Sequence, residues 1–319
     1  MNVVLVAPSA ARALLAPLAA CWSVEHALPG AALPEVVRGA DAVLVAGPRN
    51  RAPRTMLPGP VVLDDGRPVP VGWLPLVDDA STARFAEAAA AVHARAAGAD
   101  PRRTLAVLAQ RLSRYEDLSG RIVRLASSHG PVCRWTSYDV VRDDLVNGLR
   151  RGPALAVYVG HGRSIGWVGY AGLRPHHFPE SADSTAAPVG AVLSLACRTA
   201  SRQRTGLSFS EALVVRGIAA SAVGAVGPTL HTANARWALR VAEGAARAAT
   251  VGELVATAAA ADPHADRYRI VGDPTAPLLD DPGFDPLLDP ALLEPALLDP
   301  APLDPLLDPA RLEPALEVA

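Results

Sequence analysis

The sequence predicts an α/β chain built on a mainly parallel sheet. Short apolar runs recur at residues 2–7, 41–47, 155–159, 189–196 and 218–226, each bounded by Gly, Pro, Asp or a polar stretch. Helix-compatible segments lie between them. The later runs are near-continuously apolar rather than alternating, as strands covered on both faces by helices require.

Taken in order, residues 2–7 and 41–47 begin the chain as strand, helix, strand, with Pro60-Val61-Val62-Leu63 as their expected partner. A helix follows from about Ser81, its expected cap, to Ala97. Ala99-Asp100-Pro101-Arg102-Arg103 reads as a junction, and Thr104–Ala109 as the first strand of a second sheet region. Helices are expected over residues 118–127 and 139–151. Strands at 155–159, 189–196 and 218–226 come next, then helices over 232–249 and from about 250, and a closing strand and turn at 268–274. On the 232–249 helix, Asn234, Trp237 and Val241 fall on one face. This reading divides the chain into a smaller α/β subdomain (1–98), a larger domain (99–281) and a tail (282–319).

The tail differs in kind. Asp-Pro or Glu-Pro pairs recur every four or five residues, a density of proline that forbids a helix and starves a sheet of donors. It holds eight acidic residues and one arginine, a local charge of −7, and suits a spacer or a segment that docks another protein.

The 319 residues are half hydrophobic and 19% charged, enough for a proper core. A net charge of −2 offers no electrostatic case for nucleic acid, and no apolar run is long enough to span a membrane. Leu18-Ala19-Ala20-Cys21 has the form of a lipoprotein cleavage box. Yet Met1–Val6 carries no basic residue and Pro8 and Pro17 interrupt the segment, so a cytoplasmic protein is expected. The three cysteines, Cys21, Cys133 and Cys197, are widely spaced and suggest neither a disulfide framework nor a zinc knuckle. His176 and His177, even with His161, Cys197 and His231, lack the spacing of a zinc site. No cofactor or metal is called for.

The chemistry concentrates where two apolar runs end. Leu155–Val159 breaks at Gly160-His161-Gly162, and Val189–Ala196 stops at Cys197, 36 residues after His161. Ligands of open α/β sheets bind at the carboxyl ends of strands. If the two strands are parallel and adjacent, a thiol and an imidazole emerge side by side, as a nucleophile and its acid/base partner must. The competing reading of Cys197 is an inert buried thiol, the common fate of free cysteine.

These residues carry a family likeness. Strands ending in Tyr158-Val159-Gly160-His161-Gly162 and Ser194-Leu195-Ala196-Cys197 resemble those of gingipain-type cysteine peptidases of the caspase-like clan. So do Trp167, Ser208–Ala212, Gly224–Thr229, Asn234, Trp237 and Gly272-Asp273-Pro274, while Trp73 stands where that family usually has Arg. The resemblance implies a caspase-like three-layer fold and hydrolysis of peptide or protein substrates, with catalytic His161 and Cys197 and oxyanion donors at the Gly162 and Cys197 backbone N–H groups. It also implies a pocket with an aromatic wall and an acidic floor. Trp237 is the expected wall, although its helical face suits a core residue equally. The floor falls in Gln110–Asp117: Glu116 or Asp117 turned inward would select Arg, and Arg111 would select Asp or Glu. Arg is the expected preference, with Arg198, Arg202 and Arg204 in an exposed loop open to self-cleavage. The alternative is a catalytically silent caspase-like regulatory or scaffold module.

Overall fold

The computed structural model describes residues 1–48, 61–98, 104–128, 130–179, 186–202, 206–260 and 266–278. The acidic tail and the junction at 99–103 lie outside them. The chain opens with β1 (Asn2–Val6), α1 (Ser9–Leu14), α2 (Ala16–Ala19), β2 (Ser23–Ala27), α3 (Leu33–Val36) and β3 (Ala42–Pro48). Then come β4 (Val61–Val62), β5 (Pro68–Val69), β6 (Val71–Leu76), α4 (Asp79–Ala96), β7 (Leu105–Ala109), α5 (Ser113–Ala126), β8 (Val132–Thr136) and α6 (Arg142–Leu149). The site region contains β9 (Leu155–Val159), β10 (Gly162–Arg163), β11 (Gly166–Trp167), α7 (Gly169–Gly172) and β12 (Val189–Leu195). The last elements are α8 (Phe209–Val215), β13 (Ala219–Ala225), α9 (His231–Ala245), α10 (Val251–Ala260) and β14 (Tyr268–Gly272).

Ten strands form one sheet in the order β2-β1-β3-β6-β14-β13-β12-β9-β7-β8. All neighbours are parallel except β13 and β14, which run antiparallel. The strands on either side of that joint therefore point their carboxyl ends at opposite rims. Residues before and after the expected junction near 98 share this sheet, because β6 pairs with β14. Helices α1, α2, α4 and α8 pack together on one side of the central strands, and α5, α9 and α10 form a second group over β7, β9 and β12.

Burial explains the strands. Every residue of β7, β9, β12 and β13 is buried, as their unbroken apolar runs foretold. Two edge strands escaped the sequence reading. β2 is exposed along most of its length, and β8 is only half apolar, so neither shows a strong pattern. The expected partner at residues 60–63 is corrected: Val61–Val62 belongs to a two-stranded hairpin with β5, and β6 takes the place beside β3. At α4 the cap is Asp78, one turn before the expected Ser81. Its carboxylate accepts the Ser81 N–H at 2.7 Å while the Ser81 hydroxyl accepts the Asp78 N–H at 3.3 Å. Among the described residues no helix is long and apolar enough to cross a membrane.

Two buried carboxylates lock the helices to the sheet. Asp273, fully buried in the turn after β14, accepts from His93 Nε2 on α4 at 2.8 Å and from the Thr275 N–H and hydroxyl. Glu211, fully buried at the start of α8, receives Arg202 Nε and Nη2, the Trp73 indole N–H at 3.0 Å, and the Ser208 N–H and hydroxyl. Trp73 thus gives Glu211 one neutral donor, and the cation comes from Arg202. Arg202 is 6% exposed and is not the open loop residue expected from sequence; Arg204 lies outside the described residues. Removing one partner leaves an uncompensated charge in the core, so Glu211→Ala is expected to cost about 3–5 kcal/mol of unfolding free energy. Urea denaturation followed by far-UV circular dichroism measures this, and a loss below about 1 kcal/mol would show that the cluster is well solvated.

Candidate active site

Parallel pairing puts the two sequence-predicted residues at the same height. Leu195 of β12 pairs with Val159 of β9, and each strand runs two residues further, to Cys197 and to His161. β9 lies between β12 and β7, so the loop after β7 borders the same rim.

The His161 backbone is held from three sides. Its N–H donates to Gln110 Oε1 at 2.7 Å, and its carbonyl accepts from the Tyr158 hydroxyl at 3.0 Å and the Val168 N–H at 2.9 Å. Tyr158 is stacked on Trp167 with centroids 4.3 Å apart, and the Trp167 indole donates to Ser194 Oγ on β12 at 2.8 Å. This chain ties the imidazole loop to the cysteine strand. Gly162 leaves no room for a side chain: a Cβ there would sit 2.7 Å from the Cys197 carbonyl oxygen and 2.8 Å from Ala196 Cβ. Its backbone therefore lies against the cysteine turn.

Cys197 is half-buried at the start of that turn, and Arg198 after it has φ +60°, a conformation non-glycine residues enter at a cost of about 1–2 kcal/mol. The strained position is held by Arg198 N–H donating to Gly227 and Ala200 N–H to Ala225. Among the described residues the Cys197 N–H has no hydrogen-bond acceptor. Thr229 encloses the sulfur, with its N–H 3.3 Å, its carbonyl 3.4 Å and its hydroxyl 3.5 Å from Sγ. Asn234 fixes Thr229 in turn. Its amide donates to Thr229 Oγ1 at 3.0 Å and to the Leu195 carbonyl at 3.2 Å, and its oxygen accepts from the Tyr268 hydroxyl at 2.6 Å.

The imidazole has neighbours the sequence reading missed. Arg114 Nη2 lies 3.1 Å from His161 Nε2, and the Tyr115 ring meets both His161 and His231 edge-on, at 5.7 Å and 5.2 Å. Burial, then the Arg114 charge, hold His161 below the usual histidine range. His231 is lowered by burial, then by Arg114 and His161, while burial raises the Tyr115 phenol. Burial also pushes the Cys133 thiol up to about 11. Arg114 and Tyr115 were overlooked because α5 begins at Ser113, five residues before the expected start. Its N-cap position is Leu112, which offers no capping side chain to announce the helix.

That earlier start also moves the expected pocket floor. Glu116 Oε2 pairs with Arg134 of β8 at 2.9 Å, Asp117 is exposed on α5, and Arg111 stacks 4.5 Å over the Tyr138 ring. None of the three lines the cleft beside Thr229. That cleft, partly open to solvent, is lined by Thr229, Leu230, Asn234, Trp237, Arg267 and Tyr268 among others. Trp237 borders this cleft from within the core: it is 1% exposed and stacks flat on Tyr268 at 4.3 Å.

Two comparisons agree on the fold. The structure is similar to the Arg-specific cysteine proteinase gingipain R, with a TM-score of 0.67 at 13% identity, covering 86% of this chain and 78% of that one. It is likewise similar to the complex of the RgpB pro- and mature domains from Porphyromonas gingivalis, with a TM-score of 0.64 at 13% identity, covering 86% and 79%. The sheet and its helices are thus the caspase-like α/β fold expected from the sequence. No curated protein sequence matches the chain. The family model of Peptidase family C25 matches residues 78–279, more than half of the chain and all the strand ends described above, and the chain belongs to that family.

Proposed function

We propose that the chain is a cysteine endopeptidase in which Cys197 is the nucleophile and His161 the general acid and base. The observation that carries this is the register of β9 on β12, which ends both strands at one rim with a reactive side chain on each. In the reaction, Cys197 Sγ bonds to the substrate carbonyl carbon as its proton passes to His161. The oxyanion so formed is received by the N–H groups of Cys197 and Gly162; the unpartnered Cys197 N–H and the close approach of Gly162 favour that assignment. Collapse breaks the C–N bond, the amine leaves with the proton from His161, and water then hydrolyses the thioester. A preference for Arg before the scissile bond rests on the family likeness alone, since none of Arg111, Glu116 and Asp117 lines the cleft.

One observation favours the second reading, a silent regulatory module. The thiol bonds Thr229 and the His161 ring bonds Arg114. The two readings separate experimentally. Cys197→Ala is expected to abolish peptide hydrolysis, and His161→Ala to cost at least about two orders of magnitude in kcat, both with unchanged melting temperature. Wild-type turnover in the Cys197 variant would sink the mechanism.

Two further outcomes follow from the geometry. Gly162→Ala is expected to reduce kcat by about 10²–10³ while Cys197 still reacts with iodoacetamide, because the methyl group meets the Cys197 turn. For pH dependence, the base must be neutral in the free enzyme, and His161 is held below about 6.5, the unperturbed value. The quantity kcat/KM is therefore expected to stay level as pH falls to about 6.5 and to drop only below it. An acid limb centred above that value would show that the lowered group is not the base.

A further inference from the structure

The residue that caps His161 is also suited to recognise the substrate. Arg114 sits exposed in the first turn of α5, with Nη2 3.1 Å from His161 Nε2 and its guanidinium carbon 4.9 Å over the Tyr115 ring. A guanidinium can only donate, so Nε2 is the acceptor in this pair. A neutral imidazole has one acceptor nitrogen, and here it is taken. In this arrangement Arg114 occupies the nitrogen that must accept the thiol proton.

The surroundings show what would draw Arg114 away. Among the described residues, the charged groups bearing on His161, Tyr115 and His231 include no carboxylate, and no Asp or Glu lines the cleft beside Thr229. Arg267, at that cleft, is bonded to the Pro228 carbonyl at 2.7 Å. Among the described residues an arginine or lysine side chain of a substrate meets no anion lining that cleft, whereas a carboxylate meets Arg267 there and Arg114 outside it, beside the imidazole. Arg114 has five donors and spends them in part on His161 and on the Tyr115 hydroxyl, and the donors that remain suit a carboxylate.

We propose that Arg114 is the specificity-determining residue of this site, that it selects Asp or Glu immediately before the scissile bond, and that pairing with this carboxylate frees His161 Nε2. The inference rests on the dyad reading above and names the substrate class of that same site. Binding energy from the acidic side chain is then used to uncap the base, so selectivity falls on kcat more than on KM. Neutralising Arg114 also removes the second cause of the lowered His161 basicity.

The test uses the full chain and four fluorogenic peptides that differ only in Asp, Glu, Ala or Arg before the scissile bond. They are run on wild type, Arg114→Ala, Arg114→Lys and Arg267→Ala. Wild type is expected to favour Asp and Glu over Ala by about tenfold or more, mainly in kcat. Arg114→Ala is expected to erase that ratio and to move the acid limb of kcat/KM for the Ala peptide to higher pH. Arg114→Lys keeps the charge without the fork and is expected to retain part of the ratio. A purely structural role for Arg114 would lower all four rates together and leave the limb in place. Preference for the Arg peptide, a ratio unchanged in Arg114→Ala, or a ratio lost in Arg267→Ala instead would each overturn the proposal. Because peptides are still cleaved in those outcomes, the dyad reading survives them. No cleavage of any peptide would overturn both.

Discussion

The backbone ladder between β9 and β12 is the constraint on which the site depends. In a parallel pair, register fixes the height of every residue that follows, and a slip of one residue turns every side chain to the other face. Leu195 opposite Val159 leaves two residues on each strand before the chain turns. Slippage is resisted by burial on both faces and by the Trp167 to Ser194 bond, which would break with any shift. Side-chain chemistry at the rim is thus decided by hydrogen bonds inside the sheet.

Small residues let the surrounding layers close on those strands. In β13 a Cβ at Gly224 would lie 2.5 Å from Thr199 Oγ1 and 2.6 Å from Ser210 Oγ, so the cysteine turn and α8 rest directly on the strand. Gly72 meets the Gly272 carbonyl in the same way where β6 joins β14. Close approach brings polar groups into the core, and the charged or amide ones are matched: Glu211 with Arg202, Asp273 with His93, Asn234 with Tyr268, while Thr199 Oγ1 and Ser210 Oγ are buried without a hydrogen-bond partner among the described residues. The first clamp acts on the segment that follows Cys197, and the last reaches the sulfur through Thr229.

Much of this was legible in the sequence. The strands at 155–159 and 189–195 stood out because parallel strands covered on both faces are apolar throughout, and their ends stood out because glycine or a polar loop interrupts them. His161 and Cys197 needed no tertiary knowledge once the strands were taken as neighbours. What stayed hidden lacks a local signal. β2 is mostly exposed, β8 is only half apolar, and neither alternates cleanly. The start of α5 has a leucine where a capping side chain usually gives a helix away, which hid Arg114 and Tyr115 inside a supposed loop. The Arg202–Glu211 pair joins residues that composition would place on the surface; only the packing of α8 against β6 buries them.

The antiparallel joint between β13 and β14 divides more than strand direction. Carboxyl ends of β1, β3, β6 and β14 open on the rim opposite His161 and Cys197, separated by the length of a five-residue strand, about 17 Å. Loops on that far rim can lengthen, shorten or accept a fused module without entering the space around His161 and Cys197. The two rims are free to diverge at different rates, one answering to chemistry and the other to whatever the protein must be attached to.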